Sequence, residues 1–245
     1  MSRRMIVPLV AVILLFSTGV ANAGELYAVL VQNAGAGLTH NFRKLLIEEY
    51  DYSEDNLFLF GDKEKDGPPV TAPACADPVL KKLDELADKL DKDDKLIVFF
   101  ICHMQSGFCI NNTLSYLQLE NAVAKFDDEI DIIVIMEGCH SNGALDIVKS
   151  PDAVITTAKT GQPCYGGFLL FWINALNPEK PAYRKADIDK NGITTIGEAY
   201  EYARDDERLA MWYRELDRNV WPPADFHPTP DARFGESGES LTLGK

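Results

Sequence analysis

Basic charge is what this sequence has little of. Lysine and arginine number 24 against 38 aspartates and glutamates, a formal net charge of −14. A chain this acidic repels phosphate backbones and anionic lipid headgroups, which excludes nucleic acid and anionic membrane as partners held by charge alone. It suits divalent cations. Cysteine is scarce as well. Cys75, Cys102, Cys109, Cys139 and Cys164 make five, and an odd count leaves at least one thiol over after any disulfide pairing. Internal repeats and low-complexity linkers are absent, so one domain is expected. The dinucleotide fingerprint is incomplete: "NAGAGLTH" has Gly35 and Gly37, but His40 stands where the third glycine belongs. A tight turn accounts for that segment better than a nucleotide site.

The N-terminal stretch is of another kind. Residues 1–23 carry Arg3 and Arg4, an apolar run from Met5 to Phe16, and then Ala21-Asn22-Ala23. Charged, apolar and small residues in that order predict a secretory signal peptide cut after Ala23. The run is short of the ~20 residues that a membrane span requires. No cysteine follows it closely, which argues against lipid anchoring. The expectation is a secreted or periplasmic chain with no stable membrane span after cleavage.

From Gly24 onward, apolar runs alternate with helical patterns. "ELYAVLVQ", "NLFLFGD", "KLIVFFIC", "DIIVIMEG" and "DAVITTA" read as five strands, several apolar enough to be covered on both faces. Phe42, Leu45, Leu46 and Tyr50 fall at helical spacing, with Thr39 as the expected cap. Val79, Leu80, Leu83, Leu86, Ala87 and Leu90 mark a second helix, "YLQLENAVAKF" a third and "GFLLFWINAL" a fourth. Strand–helix alternation predicts an α/β fold with a mostly parallel central sheet and helices on both faces. The domain is expected to span 24–245, with its core at 24–177 and a helical, irregular extension at 178–245.

In such sheets, ligands gather beyond the carboxyl ends of the strands. Two strand exits carry chemistry. "FFICHMQSG" delivers His103 and "IMEGCHSNG" delivers Cys139. On neighbouring parallel strands they would share one sheet edge. A thiol and an imidazole together serve acyl transfer: the thiolate attacks a carbonyl, and the imidazole carries the proton to the leaving amine. N–H groups of the glycine-containing turns supply donors for the tetrahedral oxygen. The same residues admit two other readings. Cys102-His103 and Cys139-His140 are chemically suited to zinc, and Cys102 can pair with Cys109 as a disulfide.

A second site lies in "DIDKNGITTIGE". Asp187, Asp189 and Asn191 hold positions one, three and five; Gly192 is sixth, Ile193 seventh and Glu198 twelfth. That is the spacing of an EF-hand calcium loop, in which alternating oxygens, the Ile193 carbonyl and a bidentate Glu198 surround the ion. The prolines of "NPEKPAYRKA" argue against a full entering helix, so a single calcium loop, structural or regulatory, is expected rather than a paired sensor.

The order of these motifs resembles the caspase-like cysteine peptidases, nearest to the legumain-like branch with its bacterial secreted members. "LYAVLVQNAGAGLTHNFRKLL" is similar to that family's opening strand and Asn-Tyr-Arg segment, and "EGCHSNG" to its nucleophile motif. The resemblance implies a secreted cysteine endopeptidase acting on protein or peptide substrates, without an organic cofactor. It assigns Cys139 as nucleophile and His103 as general acid and base, and the N–H groups of Cys139 and Met104 as the oxyanion hole. It places Arg43, Glu137 and His140 at the substrate, and Arg43 and His140 together would favour an acidic or amide side chain before the scissile bond. Two positions depart from the family. Met104 replaces the glycine that follows the histidine, and His140 replaces an acidic residue. The alternative is therefore a catalytically silent, calcium-dependent binding module of the same fold.

Overall fold

A computed structural model describes residues 24–34, 36–62, 67–164, 166–205, 207–211 and 228–244. The stretch read as a signal peptide, residues 1–23, lies outside them. The central sheet is built from β1 (Leu26–Gln32), β2 (Leu57–Phe60), β3 (Lys95–Ile101), β6 (Asp131–Glu137) and β7 (Ala153–Thr156). These five pair in parallel, and a sixth strand, β8 (Asp231–Phe234), adds antiparallel to β7, giving the order β2-β1-β3-β6-β7-β8. All seven residues of β1 and of β3 are buried. That follows from their sequences: a strand covered on both faces has no solvent side on which to alternate.

Period-two geometry splits these runs between two cores. Leu30, Phe99 and Ile135 point to one face. There they meet α1 (Ala36–Tyr50), α4 (Gly167–Ala175) and α6 (Ile196–Ala203) through Phe42, Trp172 and Ala199. Phe42 stacks on Phe99 with ring centroids 4.7 Å apart. Val31, Phe100 and Met136 point the other way, onto α2 (Ala76–Ala87) and α3 (Tyr116–Val123) through Val79, Leu83, Leu119 and Val123. Each such side chain contributes roughly 1.5–3 kcal/mol on burial, so both helix layers are held by their apolar stripes. The sheet, with helices on either face, is the predicted architecture.

Three details differ from the sequence reading. α1 begins at Ala36, so Thr39 is a buried residue inside the helix and not its cap. A short hairpin of β4 (Gly107–Phe108) and β5 (Leu114–Ser115) follows β3. The C-terminal extension contains α5 (Pro181–Ala186) and α6, and it also returns to the sheet as β8. Its last described residues are tied to the core. Tyr52 Oη donates to the Leu243 carbonyl at 2.9 Å, and the buried Lys95 ammonium donates to the carbonyls of Thr242 and Gly244 at 2.7 and 2.8 Å. Among the described residues, no helix is long and apolar enough to cross a membrane.

Candidate active site

β3 and β6 run level: Ile101 pairs with Glu137, and the Cys102 N–H extends the ladder by donating to the Glu137 carbonyl at 3.2 Å. The next residues of each strand therefore leave the sheet side by side. His103 and Cys139 both line one cavity of about 240 Å³ at this edge, together with Glu137, Gly138, Cys102 and Cys164. Gly138 makes the exit possible. A Cβ there would sit 2.4 Å from the Cys102 carbonyl oxygen and 2.7 Å from Met104 Cγ, so only glycine fits between the two chains. Its N–H donates to Thr157 Oγ1 at 3.2 Å, which fixes the turn that presents Cys139.

The thiol of Cys139 is partly exposed, and its Sγ accepts the Cys164 N–H at 3.3 Å. His103 is exposed on a braced loop. Its carbonyl accepts the Cys109 N–H at 2.7 Å, and the ring of Phe108, two residues after Gln105–Ser106, stacks on Phe100 at 3.9 Å. Met104 turns its side chain into the core beside Gly138 and is 3% exposed, so what it can offer a substrate is backbone.

Glu137 is buried in the cavity wall. Its Oε1 accepts from Cys164 Sγ at 2.5 Å and from the Gly166 N–H at 3.0 Å, while Oε2 is buried with no partner. Burial pushes its carboxyl up from 4.5 to about 7, against the opposing pull of the Cys164, Gly166 and Thr157 hydrogen bonds. Burial, then the neighbouring Glu137, pushes the Cys164 thiol well above its ordinary value. The Glu137 shift has a stability consequence. The folded state keeps this proton up to about pH 7, whereas the unfolded chain releases it near 4.5. Stability from this group is whole below 4.5 and is lost as pH rises through 7. Glu137→Gln removes that loss. It is expected to gain about 3 kcal/mol on the wild type between pH 4.5 and 8, read as a melting-temperature difference that widens with pH. A difference that stays constant would refute the shift.

The other residues assigned to the substrate are elsewhere. Arg43 forms an ion pair with Glu54 at 3.2 Å and lines a different surface cleft, with His40 and Lys44. His140 sits at φ 59°, and its Nδ1 accepts the Gly161 N–H at 2.7 Å, so it braces the loop after β7. Cys164 is the member of the site that the sequence reading passed over. The signal was available: it follows the exit of β7, the fifth of the parallel strands that end at this edge. All five cysteines are free thiols, so Cys102 and Cys109 are not joined. Among the described residues, the group of three or more side chains able to share a metal ion is Asp187, Asp189 and Glu198, not the Cys-His pairs read as a zinc site.

In that loop, carboxylate oxygens of Asp187, Asp189 and Glu198 lie within 4.8 Å of one another. Backbone N–H groups hold them in place. Asn191 and Gly192 donate to Asp187 at 3.1 and 3.0 Å, and Ile188 donates to Glu198 Oε1 at 2.8 Å. Gly192 at φ 91° makes the bend. Asn191 Oδ1 accepts from the Ile193 N–H at 2.8 Å. An all-oxygen donor set with three carboxylates fits a hard divalent cation.

No protein-family model matches the sequence, and no curated protein sequence matches it. Solved structures do. Caspase-1 from Spodoptera frugiperda aligns over 91% of this chain and 91% of its own, with a TM-score of 0.58 at 11% identity. A protein of Geobacter sulfurreducens aligns over 86% of this chain and 93% of its own, with a TM-score of 0.50 at 13% identity. The class is thus a caspase-like α/β fold. Within it, this chain carries its cysteine and histidine at the exits of the two central parallel strands.

Proposed function

We propose that the chain is an exported cysteine endopeptidase, of the legumain-like kind, working through Cys139 and His103. The observation that carries this reading is the level register of β3 and β6, which sends both residues into one cavity. The Cys139 sulfur attacks the carbonyl carbon of the scissile bond. His103 takes up the thiol proton and passes it to the departing amine, leaving a thioester. His103 then draws a proton from water as the water attacks that thioester and frees the thiol. The N–H groups of Cys139 and Met104 face the tetrahedral oxygen; the buried Met104 side chain leaves its backbone donor available for this.

The cavity wall redirects the expected side-chain preference. Arg43 and His140 are engaged elsewhere, and the wall carries the Glu137 carboxyl with one unpartnered oxygen. That oxygen is buried, so Glu137 acts through the wall and not by contact: once ionised, above about pH 7, its charge favours a cationic lysine or arginine side chain in the cavity and disfavours an acidic one. The loop 187–198 would hold one calcium ion through Asp187, Asp189, Asn191, Glu198 and the Ile193 carbonyl, where the ion neutralises three clustered carboxylates. The purified chain, with calcium and with chelator, is to be given fluorogenic peptides that differ only in the residue before the scissile bond. Cleavage after lysine or arginine roughly 100-fold faster than after aspartate supports both the activity and the pocket. No cleavage by a folded, calcium-loaded chain would leave the silent binding module.

A further inference from the structure

The proposed reaction leaves two thiols of the cavity wall unused, Cys102 and Cys164, and of these Cys164 touches Cys139. Cys164 enters from the loop between β7 and α4, and its N–H lies 3.3 Å from Cys139 Sγ. Its own sulfur is three bonds from that nitrogen, so rotation about the Cα–Cβ bond of Cys164 swings one thiol toward or away from the other. Cys164 Sγ donates to Glu137 Oε1 at 2.5 Å and lies 3.2 Å from Thr157 Oγ1. A thiol is a weak nucleophile while it keeps its proton; this one has the Glu137 carboxyl placed to receive it once that group is ionised. The two thiols differ in what engages them. Both are partly exposed in the cavity, but the Cys164 sulfur is held by Glu137 and Thr157, whereas the Cys139 sulfur accepts only the Cys164 N–H, so Cys139 is the one placed to attack first.

We propose that Cys139 and Cys164 form a reversible disulfide, with Cys139 as the attacking thiol, Cys164 as the resolving thiol and Glu137 as the base for the resolving step. The oxidant is a small-molecule disulfide. The Cys139 thiolate attacks one of its sulfurs, the original S–S bond breaks, and one small thiolate leaves and takes a proton from solvent. Cys164 then attacks Cys139 Sγ while its proton passes to Glu137. The mixed disulfide breaks, and the second small thiolate leaves, to be protonated in turn. Two protein thiols have lost two electrons and two protons, and the small disulfide has gained them as two thiols. Masking of the nucleophile by this bond rests on the peptidase reading; formation of the bond does not.

The test incubates the full chain with oxidised glutathione, blocks the remaining thiols by alkylation, and maps peptides by mass spectrometry without reduction. The expected result is a loss of two of the five free thiols, a peptide linking Cys139 to Cys164, and reversal by dithiothreitol. In Cys164→Ser and Cys164→Ala, the glutathione adduct should stay on Cys139 with a lifetime about tenfold longer than in the wild type. Glu137→Gln should prolong it as well, by slowing the second step alone. Wild type and both Cys164 variants holding the same adduct for the same time would overturn the proposal, and so would a bond from Cys139 to any other cysteine. The wild-type map depends on no variant folding. A chain that forms the bond but cleaves no peptide would remove the peptidase reading and keep this one. A chain that cleaves peptides but forms no such bond would do the reverse.

Discussion

Cys139→Ala should lower kcat/KM on the best peptide by at least about 10³-fold while the chain still folds and still binds calcium. The size of the effect follows from the loss of the covalent step. What remains is whatever the oxyanion donors and the cavity contribute to direct attack by water. The small cost to folding follows from position. Cys139 is only partly buried, and removing its sulfur frees one hydrogen bond, from the Cys164 N–H, worth about 1 kcal/mol. The other thiols in the cavity wall are poorer nucleophiles. Burial raises Cys102 and Cys164 alike, which keeps both sulfurs protonated and weakly nucleophilic. His103→Ala should cost about 10²- to 10⁴-fold and leave Cys139 open to alkylation. If Cys139→Ala retained hydrolysis, the nucleophile would lie outside this sheet edge altogether.

Much of this arrangement is legible in the chain, and the part that is not has physical causes. The strands announce themselves because a parallel strand buried on both faces has to be a continuous apolar run, and Lys95–Ile101 and Asp131–Glu137 are such runs. That His103 and Cys139 end up together follows from two further facts: both follow strand exits, and β3 lies beside β6. The first is in the sequence; the second is only in the sheet. Arg43 could not be placed from sequence, because a long side chain on α1 goes where its partner is, and Glu54 comes from a separate turn. The left-handed backbone of His140 turns an apparent pocket residue into a loop brace. β4 and β5 are two residues each, too short to show a period. β8 is a four-residue edge strand with no buried residue, so "DARF" has no apolar face to reveal it.

The second large effect concerns the acidic loop, and it tests whether the loop is linked to the site. α6 begins at the loop's end with a capping box, in which Thr195 Oγ1 accepts the Glu198 N–H at 3.2 Å and Glu198 Oε2 accepts the Thr195 N–H at 3.0 Å. The same helix sends Tyr200 against Phe168 of α4, with ring centroids 5.8 Å apart. Gly166, just before α4, donates to Glu137. A cation that fixes Glu198 therefore fixes the start of a helix that packs on the helix behind the cavity. Calcium at 100 times its Kd should add about 2.7 kcal/mol of stability, which for a domain of this size raises the melting temperature by roughly 5–10 °C. Glu198→Gln keeps the shape and one oxygen to accept the Thr195 N–H of the cap, but it puts an amide NH2 where the other oxygen accepted from Ile188 and Asp189, and it removes a charge from the ion's shell. Its calcium affinity should fall by roughly 100-fold, and the calcium-dependent rise in melting temperature should vanish with it. Titration calorimetry gives the first quantity and thermal unfolding the second. Because the capping bonds survive the substitution and the lost bonds from Ile188 and Asp189 are exposed, the variant without calcium should melt within a few degrees of the wild type without calcium. A large loss there would mean that Glu198 serves the helix rather than an ion. An unchanged affinity would mean that these carboxylates are a solvated turn. If the variant instead loses affinity and peptide hydrolysis together, while Cys139 still reacts with an alkylating agent, the packing of α6 on α4 carries the ion's influence to the cavity wall.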